Sequence, residues 1–104
     1  MACTASMLVI LQDPFRVRIA KGVVVIPHSK YPIPNVLVEF RDNEGNIIAT
    51  KTDSRGRFQF SHLREGTYTF KTTLLGFSSV IGTVVLDKTV RNPNVINLEM
   101  PLGV

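Results

Sequence analysis

The feature that most constrains this chain is its alternation of apolar and polar residues with a period of two, broken at short intervals by turn residues. Val36, Val38 and Phe40, for example, alternate with Glu39 and Arg41. Such alternation is typical of a β-strand with one buried face. No stretch keeps a helical period for longer than a turn. Short strands separated by tight turns therefore predict an all-β chain in which two sheets pack face to face.

The alternation predicts seven short strands at nearly regular spacing. They cover residues 15–26, 36–41, 47–52, 57–61, 67–73, 79–86 and 95–100. Turns such as Asp42–Asn46 and Asp53–Gly56 separate them, because Asp, Asn and Gly tolerate the left-handed backbone that tight turns need. The first strand changes phase at Ala20–Gly22, and a glycine at a phase change predicts a β-bulge.

Length and composition indicate one domain. The chain has 104 residues, of which 44% are hydrophobic, so a single core can form without cross-links. Its one cysteine, Cys3, excludes an internal disulfide framework and is expected to be an inert thiol. We expect residues 1–14 to be a leader or an extra edge strand, and residues 15–104 to form the single domain. The apolar run Met7–Leu11 is too short for a membrane span and lacks the features of a signal peptide.

Four segments resemble one family in the expected order. Thr52–Phe60 is similar to the Thr-Asp-x-x-Gly-x-Phe-x-Leu signature of carboxypeptidase regulatory-like domains, and Leu63–Phe70 to the Leu-x-x-Gly-x-Tyr-x-Leu segment that follows it. Gly22–Val24 and Pro32–Val38 resemble the opening of these domains, and Gly76-Phe77 stands where Gly-Tyr is usual. The resemblance implies a seven-stranded Greek-key β-sandwich of the transthyretin-like (prealbumin-like) type, usually found outside the cytoplasm.

The residues that match the family best have structural explanations. The carboxylate of Asp53 can accept backbone N–H groups within its own turn, and Gly56 and Gly66 supply positive φ at little steric cost. Tyr68 can bury its ring while its hydroxyl keeps a partner. We therefore interpret these four residues as a structural turn motif.

No arrangement of residues indicates catalysis. Two tyrosines, Tyr31 and Tyr68, and two histidines, His28 and His62, match in number the iron ligands of intradiol dioxygenases, whose fold is related. Their spacing, however, is not that of a metal site. No serine lies in a nucleophile elbow and no glycine loop suits a phosphate. We predict no catalytic, cofactor or metal-binding residues, and hence no enzyme.

The resemblance favours a non-catalytic extracytoplasmic accessory module that binds another protein or stabilises an assembly. Exposed sheet edges offer backbone groups for strand addition, and Met7–Leu11 is one segment that can pair in this way. The net charge of +4 is scattered along the chain, so nucleic acid is not an expected partner.

Two other functions remain open from the sequence. One is carbohydrate binding, for which Tyr31 and Phe77 are the candidate aromatic platforms. The other is a self-crosslinked structural spacer, in which Lys21 on the first strand joins Asn97 on the last with Glu39 as the assisting acid. This isopeptide reaction requires a buried pocket that lowers the pKa of the lysine and holds the three groups in contact.

Overall fold

The computed structural model describes residues 8–91 and 95–103, and Cys3 lies outside them. These residues form nine β-strands and no helix. The strands are β1 Leu8–Ile10, β2 Phe15–Val17, β3 Lys21–Val25, β4 Leu37–Arg41, β5 Ile47–Lys51, β6 Arg57–Gln59, β7 Gly66–Thr73, β8 Ser79–Leu86 and β9 Ile96–Glu99.

The strands form two sheets, as the alternation predicted. The large sheet has the order β1-β8-β7-β4-β5, with β2 also pairing with β8, and the small sheet has the order β6-β3-β9. Most neighbours are antiparallel, but β1 and β2 run parallel to β8, and β3 runs parallel to β9. The edge strands are therefore β1, β2 and β5 in the large sheet and β6 and β9 in the small one.

The prediction of seven strands was wrong, because the segment 15–26 is not one bulged strand. β2 pairs with β8 in the large sheet, whereas β3 pairs with β6 and β9 in the small sheet. Between them Ala20 is buried, and the N–H of Lys21 donates to the carbonyl of Ile19 at 2.9 Å. A bulge and a change of sheet both shift the alternation of buried and exposed residues by one position. The sequence pattern alone therefore does not distinguish the two. The other additional strand is β1.

The core lies between the two sheets and is built from the inward residues of both. Four aromatic rings meet at its centre: the ring of Phe40 lies 4.5 Å from that of Phe60, 5.9 Å from that of Tyr68 and 6.5 Å from that of Phe58. Tilted and edge-on contacts of this kind add to the free energy gained by burying the rings. The outer faces of the sheets carry polar side chains such as Glu39 and Lys71 together with apolar ones such as Ile47 and Ile81.

Candidate functional site

The Asp53 turn joins the two sheets and is held by its own backbone. The Asp53 Oδ1 atom accepts the N–H of Arg55 at 2.8 Å and that of Arg57 at 3.0 Å. These bonds hold the pKa of Asp53 below its ordinary value, because they favour the charged carboxylate. The bond from the N–H of Arg57 has the largest effect. The turn therefore leads from β5 into β6 with a defined geometry.

Gly56 lets this turn approach β3 closely. Its φ is 72°, and a Cβ atom at this position would lie 2.6 Å from the carbonyl oxygen of Val24. The N–H of Val24 donates to the Gly56 carbonyl at 2.8 Å, which ties the turn to the small sheet. Neither the backbone angle nor the space suits an L side chain.

Tyr68 and Gly66 lie at the start of β7. The hydroxyl of Tyr68 donates to the carbonyl oxygen of Arg64 at 2.8 Å, and its ring packs in the core. Gly66 has a φ of 147° with open space around it. The contacts of Asp53, Gly56 and Tyr68 thus lie within the domain.

The two candidate aromatic platforms, Tyr31 and Phe77, do not contact each other. Tyr31 lies in the loop after β3 and is 69% exposed. Phe77 is half-buried, and its backbone pairs with that of Leu102. Among the described rings no contact joins Tyr31 to Phe77. The structure therefore does not bring them together as one sugar-stacking surface.

The three candidate isopeptide residues are also separated. Lys21 and Asn97 are exposed in the small sheet, where Asn97 lies opposite Val23 rather than opposite Lys21. Glu39 lies in the large sheet, opposite Lys71 on its outer face. The acid is thus on the far side of the sandwich from the lysine and the amide, and the geometry gives no support to a cross-link.

The two histidines lie at opposite ends of the small sheet. His28 follows the end of β3, and His62 follows the end of β6, which runs antiparallel to β3. The hydroxyl of Tyr68 is occupied by a backbone carbonyl. Within residues 8–91 and 95–103 no three of the His, Cys, Asp and Glu side chains are grouped for a metal ion.

The longest edge strand of the described chain is β5, and one side of it is free. The N–H of Asp42 donates to the Asn46 carbonyl, and the N–H of Thr52 donates to the Val36 carbonyl, each at 3.0 Å. Because antiparallel ladders alternate, the even-numbered residues of β5 bond to β4, and the odd-numbered ones point their backbone groups away. Their N–H and C=O groups reach no other strand in the described residues. These outward-pointing N–H and C=O groups belong to Ile47, Ala49 and Lys51.

Apolar side chains accompany this free edge. Ile47 is 49% exposed and Ile48 is 37% exposed. Ile47 also lines a shallow depression of about 440 Å³ on the outer face of the large sheet, with Glu39, Arg41 and Lys71 around it. The sequence predicted that sheet edges would be available but not which strand would carry the longest free edge. That depends on pairing between residues far apart in the chain.

The fold is that of a β-sandwich module, and the outer side of β5 carries no further strand among the described residues. The chain belongs to the carboxypeptidase regulatory-like domain family, whose model matches residues 20–100, and it has the transthyretin-like fold of that family. The family is typically non-catalytic and occurs in extracellular and surface proteins. No curated protein matches the chain significantly. Among the described residues there is no helix with the length and apolar character of a membrane span.

Proposed function

We propose that this chain is a non-catalytic extracytoplasmic accessory module that binds a partner protein by strand addition to β5. The observation that carries the proposal is the free backbone of Ile47, Ala49 and Lys51, which lies along an edge covered by no other described strand. In strand addition, main-chain hydrogen bonds supply affinity, and pockets for alternate side chains supply specificity.

The side chains around the edge suit this mode. An added strand continues the large sheet beyond β5, so alternate side chains of the partner lie on its outer face beside Ile47 and Ala49. The depression lined by Glu39, Arg41 and Lys71 is next to Ile47 and can receive one long side chain. Charges of both signs there favour a partner strand that has a polar residue at that position.

The test removes one outward N–H from β5. The immobilised domain is offered envelope extract, and the captured protein is identified by mass spectrometry. Proline at position 49 lacks the donor, but it is tolerated at an edge where the N–H faces solvent. We expect Ala49→Pro to lose the captured protein, and Ala49→Val, which keeps the N–H, to retain it.

Thermal unfolding of both variants checks that the sandwich is intact. If a folded Ala49→Pro domain captures the same protein as well as the wild-type domain does, β5 is not the site of addition and the proposal is wrong.

A further inference from the structure

The outer face of the small sheet carries a cluster of cations around one shallow depression. The depression has a volume of about 530 Å³, and Lys21, Arg57 and Lys51 line it. Lys21 and Arg57 come from neighbouring strands: Lys21 lies opposite Gln59, and Arg57 lies opposite Val23. Lys51 reaches the depression from the end of β5. We call this feature the basic depression.

No carboxylate neutralises these three cations by an ion pair. In the part of the chain that the structure describes, ion pairs join Arg16 to Asp87 and Lys30 to Glu99, and neither involves the basic depression. The one acid that lines it is Asp53, a charged carboxylate that attracts Arg57, so three cations face one anion there. The depression therefore keeps a positive excess that an anionic ligand can use.

The remaining lining residues suit a sugar. Gln59 offers both a donor and an acceptor for hydroxyl groups. Val23 and Val95 supply an apolar floor on which the C–H face of a pyranose ring can lie. The lining offers no exposed aromatic ring on which a neutral sugar could stack. Charged side chains must therefore provide the recognition.

We propose that the basic depression binds an acidic polysaccharide, with uronate carboxylates paired to Lys21, Arg57 and Lys51. The guanidinium of Arg57 can hold a carboxylate through two parallel hydrogen bonds, and the lysines act as point charges. The sugar chain crosses β6 and β3, and its hydroxyls bond to Gln59. This site shares only Lys51 with the strand-addition edge, and it uses the side chain of Lys51 rather than the backbone.

The test measures the affinity of the whole domain for polygalacturonate by titration calorimetry, at low salt and at about 150 mM salt. Lys21→Gln with Arg57→Gln removes two cations, and we expect at least about a tenfold loss of affinity from losing these charge-assisted bonds. Lys88→Gln, at an exposed lysine after the end of β8, is the matched control and should change affinity less than about twofold. Neutral dextran should not bind.

Three results would overturn the proposal. The first is no binding of polygalacturonate by the wild-type domain. The second is an affinity loss per removed charge that is as large for Lys88→Gln as for the double variant, which would indicate attraction by net charge alone. The third is tight binding of single-stranded DNA, lost in the double variant, without binding of the polyuronate. Ala49→Pro should leave polyuronate affinity unchanged, so this result and the strand-addition result are independent.

Discussion

The hydroxyl of Thr52 donates a hydrogen bond to the carbonyl oxygen of Ile33 at 2.7 Å. The same hydroxyl oxygen accepts the N–H of Val36 at 2.9 Å, and Thr52 is only 3% exposed. One buried side chain thus ties the end of β5 to the loop that leads into β4. It holds in place the strand whose free edge we propose as the binding site.

Replacing Thr52 by valine should destabilise the domain by about 1–3 kcal/mol, because a buried carbonyl and a buried N–H both lose their partner. Valine has nearly the same shape, so the loss reports hydrogen bonding rather than packing. Thr52→Ser keeps the hydroxyl and should lose less. Urea unfolding of the three proteins measures this, and equal free energies of unfolding for Val and Ser would contradict the account.

Gly56→Ala should cost more than Gly45→Ala, although both glycines have positive φ. The left-handed backbone alone costs an alanine about 1–2 kcal/mol, and both variants bear that cost. A Cβ at position 56 would in addition lie 2.6 Å from the Val24 carbonyl oxygen, whereas nothing lies within 4 Å of one at position 45. Thermal unfolding should rank the variants in this order, and the reverse ranking would mean that the Asp53 turn does not pack against β3 as described.

The stability of the domain should fall as the pH is lowered below about 4, because three turn carboxyls, among them those of Asp42 and Asp53, have a lowered pKa. The backbone N–H of Asn46 and that of Arg57 lower the pKa of Asp42 and of Asp53 respectively. A carboxyl with a lowered folded-state pKa stabilises the fold fully above its unfolded-state pKa, and this contribution is lost as the pH falls through the folded value.

The double variant Asp42→Asn, Asp53→Asn keeps hydrogen-bond acceptors at both turns but cannot titrate there. Its free energy of unfolding should therefore change less between pH 5 and pH 2 than that of the wild type. Identical pH profiles for the two proteins would show that these carboxyls do not contribute.

The strands with regular alternation were predictable because each buried face is encoded locally. The predicted strand 79–86 coincides with β8, and the predicted strand 67–73 differs from β7 by one residue. The change of sheet at Ala20 was not predictable, since it depends on which distant strands accept β2 and β3. Thr52 was part of the recognised motif, but its buried position and its two partners follow only from tertiary structure.

In the candidate sites, too, features encoded locally were predictable, and features that depend on pairing between distant strands were not. The exposure of sheet edges was predicted in general, but the free side of β5 follows from its pairing with β4 alone. The twelve basic residues look scattered in the sequence, and Lys21 is thirty-six positions from Arg57. The pairing of β3 with β6 brings these two cations onto one face.

The most direct test of the central claim is amide hydrogen exchange of β5, measured by NMR in the free domain and with its captured partner bound. In the free domain, the amides of Ile48 and Thr50 should exchange slowly, and those of Ile47, Ala49 and Lys51 quickly. On binding, the three fast amides should become protected. Unchanged fast exchange of all three in the complex would contradict strand addition at β5.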